Sequence, residues 1–156
     1  MRKVVSIASI LLIFAYCSDE HPASNPEGKG ITKAISSMMD HISGDLASKG
    51  PAAWLNYFDS SSHFFMANNG ILVFPDFEAG KKFINDTLVK MVQGIRLTFS
   101  NIKIDSLSET TASIAAKYHE DTKDMAGTSR SFDGYFTGLA VLTGSGWKLR
   151  NLHWSE

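Results

Sequence analysis

An α+β domain, with three helices in its first half covering one face of a curved, mainly antiparallel sheet, is the fold class predicted for this chain. Three observations predict it: an apolar stripe at three- and four-residue steps early in the chain, an Asn-Gly turn between two short apolar runs, and a change to period two beyond Gly94. The 156 residues suit one domain, and a 44% hydrophobic and 11% aromatic composition supplies a core and excludes a low-complexity protein. Fifteen Lys and Arg against sixteen Asp and Glu give a net charge of −1, and no stretch is strongly basic, so nucleic-acid binding has no electrostatic footprint. The single cysteine, Cys17, excludes an internal disulfide, a CxxC redox pair and a zinc ribbon.

The first thirty residues divide into an address and a spacer. Arg2 and Lys3 precede the mostly apolar run Val4 to Tyr16, the charge-then-apolar layout of a secretory signal peptide over residues 1–16. The run is shorter than the ~20 apolar residues that span a bilayer, and Ser18, Asp19, Glu20 and His21 end it. Phe14-Ala15-Tyr16-Cys17 resembles the box of a bacterial lipoprotein signal, although Phe14 and Tyr16 stand where Leu and a small residue are usual. That resemblance implies a lipidated Cys17, a place in the bacterial cell envelope, periplasm-facing or at the surface, and membrane contact through the lipid anchor alone. Ordinary cleavage nearby instead gives a soluble periplasmic or secreted protein. Pro22, Pro26, Gly28 and Gly30 among small polar residues mark residues 17–30 as a flexible tether, leaving 31–156 as the folded domain.

Within the domain, Ile31, Ala34, Ile35, Met38, Met39, Ile42 and Leu46 form the buried stripe of a first helix that ends near Gly50. Pro51 opens a short second helix carrying Trp54, Leu55 and Phe58, stopped by Asp59 and three serines. His63 to Ala67 and Ile71 to Phe74 flank Asn68-Asn69-Gly70 and form a hairpin. Pro75 and Asp76 start a third helix with Phe77, Ile84, Leu88 and Met91 on its apolar side and Gly94 as its end cap. Ile95, Leu97 and Phe99 then alternate with polar residues, and Ile102 and Ile104 follow a bulge. Three further strands are placed at about Thr110 to Thr122, Ser131 to Thr143 and Gly146 to Ser155, the last two joined at Thr143-Gly144-Ser145-Gly146.

The ending Gly144-Ser145-Gly146-Trp147-Lys148-Leu149, closed by His153-Trp154-Ser155, resembles the final hairpin of the nuclear transport factor 2-like superfamily, and the order of elements over residues 31 to 155 agrees. The resemblance implies a conical α+β barrel with a pocket, of the kind found in SnoaL-like cyclases, ketosteroid isomerases and dehydratases. It does not imply one reaction. The family's catalytic base stands on the first strand, yet His63-Phe64-Phe65-Met66-Ala67 offers no Asp or Glu there. Asp59 comes earlier, at a helix end, where capping or exposure to solvent accounts for it. His63 and His153 are the remaining candidates for a base, with Tyr57, Tyr118 and Tyr135 as possible donors.

Strand alternation puts Trp147, Leu149, Asn151 and His153 on one face of the last strand, toward the helices, and Lys148, Arg150, Leu152 and Trp154 on the other. Ile114, Ala116 and Tyr118 form the matching inward set of the neighbouring strand, so a bulky residue at Ala116 is expected to block the pocket. Trp54, Phe58, Phe65, Tyr118, Trp147, Asn151 and His153 are the expected lining, with Asn151 and His153 orienting a small apolar or amphipathic molecule. An outward Leu152 and Trp154, beside Leu139 and Val141, is expected to pair two copies as a homodimer. His119-Glu120-Asp121 has no second histidine at ligand spacing and reads as a solvated strand end, so no metal or cofactor is called for. Binding without chemistry, proton-transfer catalysis and a structural or assembly role all remain open.

Overall fold

The computed structural model describes residues 26–156. Cys17, the signal segment 1–16 and the tether residues before Pro26 lie outside the described residues. Helix α1 runs Pro26–Lys49, so residues 26–30, assigned above to the tether, form its first turns. Proline suits the opening turn of a helix, and Gly28 and Gly30 cost only about 1 kcal/mol each against alanine there. The stripe that follows buries Ile35, Met38, Met39, Ile42 and Leu46, which outweighs that cost. A 3-10 helix, Pro51–Asn56, carries Trp54 inward.

The hairpin is β1 (Met66–Asn68) and β2 (Ile71–Phe74), with Asn69 and Gly70 both at positive φ in the turn. Asp76 caps α2 (Phe77–Phe83), accepting the Ala79 amide at 2.8 Å. The helix then widens into a π-helical stretch, Ile84–Leu88, and ends as α3 (Val89–Met91). Gly94 does not cap it: β3 (Val92–Ser108) has already begun and Gly94 pairs with Lys123 beside a register shift. The remaining strands are β4 (Thr111–Asp124), β5 (Ser129–Thr143) and β6 (Gly146–Ser155).

All six strands form one sheet in the order β2-β1-β6-β5-β4-β3. Every pairing is antiparallel except β1 with β6, so the last strand enters between β5 and the early hairpin. Helix α1 packs on β3 and the 3-10 helix closes the same side. The result is the expected α+β architecture, three helices on a curved mixed sheet.

Two bulges decide which side chains reach the interior. In β3, Asn101 adopts φ 51° where the register shifts, moving the inward set from Ile95, Leu97 and Phe99 to Ile102 and Ile104, as the sequence pattern indicates. The same event occurs in β6, where it was not expected. Asn151 adopts φ 55°, and the β5–β6 register shifts between Thr137 and Leu139. Leu149 points inward before the bulge, and Leu152 and Trp154 point inward after it, at 0%, 0% and 8% exposure. His153 is exposed on the other side. Leu152 and Trp154, expected above to face outward and pair two copies, are therefore core, and Val141 is buried too, while Leu139 is half-buried on the outer face.

Asp59 is likewise not a solvent-exposed residue. It is 4% exposed, where Phe58 and Leu149 form a parallel bridge and the Asp59 amide donates to the Leu149 carbonyl at 2.9 Å. Arg150 Nε donates to its carboxylate at 2.5 Å and Ser61 Oγ at 2.6 Å. Burial alone would raise this carboxyl, but the bonds from Ser61 and Arg150 outweigh it and hold it below the ordinary range. The ion pair joins the loop after the 3-10 helix to the strand just before the β6 bulge. Its stability is present above the unfolded value of about 3.9 and is lost as pH falls through the lower folded value. Arg150→Ala should cost about 3 kcal/mol at pH 7, near the low end for breaking a buried pair because Arg150 keeps part of its side chain in water. Urea unfolding checks this. The difference from wild type should shrink below about pH 4, as protonation of Asp59 removes the stranded charge.

Candidate functional site

Between the sheet and the helices lies a cavity of about 310 Å³. Its walls are aromatic: Trp54 from the 3-10 helix; Phe58, two residues beyond that helix; Phe74 from β2; Tyr118 from β4; Phe132 from β5; and Trp154 from β6. Phe83, Ile84 and Leu88 complete the helical side. The π-helical turn presents the last two, consistent with the frequent use of such widened turns at functional sites. Trp154 is the hub of the walls. Its ring meets Trp54 edge-on at 5.8 Å, Tyr118 edge-on at 4.8 Å and Phe136 at 4.7 Å.

Two glycines of β5 make room for these rings. A Cβ at Gly138 would stand 2.8 Å from Leu152 Cδ2, and one at Gly134 would stand 2.0 Å from the Ser155 carbonyl oxygen and 2.9 Å from the Tyr118 ring. At Gly134 the obstacle is backbone, so no rotamer change relieves it. The absence of a side chain there lets the end of β6 lie against β5 with Tyr118 turned inward.

The polar groups of the cavity are few and mostly acidic. Glu120 follows Ile114, Ala116 and Tyr118 on the inward face of β4, and Glu156 reaches the cavity just beyond β6. Burial raises the Glu120 carboxyl above its ordinary range, and the charge of Glu156 adds to the shift. Burial, then Glu156 and Glu120, also raises the Tyr118 phenol. Asn68 of β1 lines the cavity as well, and its side-chain oxygen is buried with no hydrogen-bond partner among the described residues.

Of the residues expected to line a pocket, Trp54, Phe58 and Tyr118 meet here. Phe65 does not; it is 40% exposed. Trp147 faces the helices but at the far end of the strand, in a separate groove with Met38, His41 and Tyr57. Asn151 is spent on the bulge and lines a hollow of the outer sheet face, and His153 is turned outward by that bulge. Ala116 is buried opposite Phe136, away from the cavity lining. His63, the other candidate base, is exposed. Glu120 was missed because it stood inside a run of charges, His119 to Asp121, although the period-two set Ile114, Ala116, Tyr118 extends directly to it. The other two charges of that run lie on the outer face, where His119 Nδ1 is 2.9 Å from Asp133, whose hydrogen bond raises the imidazole above its ordinary range. Among the described residues no group of three or more His, Cys, Asp or Glu side chains is placed to hold a metal ion.

With this geometry in hand, the solved structures that share it can be compared. A scytalone dehydratase-like protein of Novosphingobium aromaticivorans superimposes with a TM-score of 0.66 at 20% identity, over 81% of this chain and 83% of that one. Its fold is that of the nuclear transport factor 2-like proteins. A member of that superfamily from Salmonella enterica gives a TM-score of 0.63 at 16% identity, over 85% of this chain and 92% of that one. A hexachlorocyclohexane dehydrochlorinase of Novosphingobium barchaimii gives 0.62 at 10% identity, over 81% and 86%. No family model matches the sequence, and no curated protein matches it.

The raised Glu120 carboxyl has a stability consequence opposite in sign to that of Asp59. A group that binds its proton more tightly when folded loses stability as pH climbs from its unfolded value, about 4.3, through the raised folded one. Glu120→Gln should therefore raise Tm at pH 7 and leave it unchanged at pH 4 or below. Thermal unfolding followed at several pH values checks both halves.

Proposed function

We propose that this chain binds a small, largely apolar molecule in the aromatic cavity, with the polar end of that molecule at Glu120 and Asn68. The observation that carries the proposal is Glu120 itself. A carboxyl turned into an apolar cavity costs stability, and such a cost is tolerated where the group serves a ligand. The volume lies at the small end of the roughly 300–1,000 Å³ usual for small-molecule sites. Trp54 and Trp154 line the cavity and Trp147 does not, so the tryptophans report occupancy selectively. In a fluorescence and thermal-shift screen of small apolar compounds, a bound compound should change the emission of wild type and of Trp147→Phe. The change should be reduced in Trp54→Phe and in Trp154→Phe and lost when both are replaced. A response that survives undiminished in the double variant places the binding elsewhere.

A second reading is favoured by one feature, the meeting of an acid of raised pKa with the Tyr118 phenol in one cavity. A base and a donor are the minimum for proton transfer beside a carbonyl or a leaving group. Structures sharing the fold include a scytalone dehydratase-like protein and dehydrochlorinases, which supports an isomerase- or dehydratase-type chemistry with Glu120 as base. The two readings separate on Glu120→Gln: a base removed leaves binding and abolishes turnover, whereas a polar anchor removed weakens binding itself.

The leader and Cys17 support a lipid-held position in the bacterial cell envelope. Labelling with a fatty-acid analogue, present in wild type and lost in Cys17→Ser, is the expected result; label-free protein recovered entirely in the soluble exported fraction would replace the anchor with simple secretion.

A further inference from the structure

We propose that the ligand of this cavity is an organic cation, an ammonium group on a compact apolar body, whose charge is taken up by Glu120, Glu156 and the side-chain oxygen of Asn68. The proposal rests on the binding reading above and names the class of molecule bound. Among the described lining residues there are two carboxylates and no Lys, Arg or His. The remaining lining polar group that is buried and unpartnered, Asn68 Oδ1, is an acceptor as well. The charged groups of the lining and the unpartnered Asn68 oxygen are all acceptors, and its donors, the Asn68 amide nitrogen, the Tyr118 hydroxyl and the Trp54 and Trp154 indole N–H groups, are neutral.

Three ligand charges can be compared on that ground. An anion would add a third negative charge to a site where Glu156 already disfavours ionisation of Glu120. A neutral body would fill the apolar volume, and a hydroxyl on it can donate to the Asn68 oxygen, but the mutual repulsion of the carboxylates stays as it is. An ammonium group satisfies the oxygen and relieves the repulsion at once, supplying donors to the acceptors and a compensating charge to the pair. The walls favour the same choice. The faces of Trp54, Tyr118 and Trp154 are electron-rich, and a cation out of water and near such rings gains a further attraction that a neutral group does not. The apolar remainder of the molecule then lies against Phe74, Phe132 and Leu88. Basic residues are present elsewhere on the fold, Lys117 over the Tyr135 ring and Arg150 on Asp59 among them, so their absence from this lining is not a matter of composition.

The test uses the full described domain at neutral pH and three probes of one shape: 2-phenylethylamine, 2-phenylethanol and 3-phenylpropionate. Binding is read by tryptophan fluorescence and by calorimetry. The amine should bind at least tenfold more tightly than the alcohol, and the acid most weakly. In Glu120→Gln/Glu156→Gln the amine should fall to within about threefold of the alcohol, losing much more affinity than the alcohol does. Circular dichroism and Tm confirm that the double variant is folded; Glu156→Gln alone, at an exposed position, should give a partial loss in the same direction and stands in for it otherwise. If the alcohol or the acid binds as well as the amine, or the preference for amine survives in the variants, the cation proposal fails and the pocket stands. If none of the three binds and larger apolar amines, alcohols and acids also leave both signals unmoved, the binding reading fails and takes the proposal with it.

Discussion

The interior of this protein depends on one inserted residue in its last strand. Side chains on a strand alternate strictly, so without a bulge a strand that turns Leu149 inward must turn Asn151 and His153 inward too, and Leu152 and Trp154 out. Asn151 breaks that rule by taking a left-handed conformation that asparagine accepts more readily than most residues. The conformation costs roughly 1 kcal/mol or a little more, and the buried Asn151 oxygen that lacks a partner adds about 1–3 kcal/mol. Against this, burying a leucine is worth about 2 kcal/mol and a tryptophan of ~150–250 Å² about 4–6 kcal/mol. The bulge wins because of what lies beyond it. Trp154 then becomes the ring on which Trp54, Tyr118 and Phe136 converge, and the cavity is the space those rings leave.

The supports around that strand are of three different kinds. Gly134 and Gly138 on one side supply room, since a methyl group at either would meet β6 or Leu152. On the other side the hairpin supplies parallel backbone pairing, and a hydrogen bond from the Leu152 amide to the Phe65 carbonyl at 3.0 Å continues the ladder past the bulge. At the strand's first half, Asp59 and Arg150 supply charge. The buried carboxyl of Asp59 and the half-buried one of Glu120 thus have opposed characters. Asp59 is surrounded by donors and is stabilising, whereas Glu120 faces rings and another carboxylate and is a stored cost.

Much of the fold was legible because periodicity reports it directly. The α1 stripe, the Asn69-Gly70 turn, the Thr143 to Gly146 turn and the β3 bulge all follow from spacing and turn chemistry. The β6 bulge was equally present in the pattern. In β3 the apolar positions jump from Phe99 to Ile102, and in β6 they jump from Leu149 to Leu152, the same three-residue step. Without a bulge the step in β6 reads as a strand apolar on both faces, which sends Trp154 outward and Asn151 and His153 inward, whereas Leu152 and Trp154 are buried. Asp59 and Glu120 were harder for a different reason. The surroundings of a carboxylate are set by groups far along the chain, Arg150 for Asp59 and the cavity walls and then Glu156 for Glu120, and no local spacing reports such distances. The π-helical turn also leaves no mark, since Ile84 and Leu88 are compatible with an ordinary helix.

The position of β6 between β1 and β5 also sets an order of events during synthesis. The early half of the chain carries Trp54, Phe58 and Phe64, which stack on one another and on Phe77, and Trp54 meets Trp154 only when a strand made about a hundred residues later arrives. Until Trp154 has left the ribosome, β1 has no partner except its own short hairpin, and two-stranded hairpins are marginal in water. The sheet cannot be assembled from one end to the other as it is made. Closure of the sheet requires the late strand to enter between two earlier ones, and long-range pairings of this kind form more slowly than local contacts do.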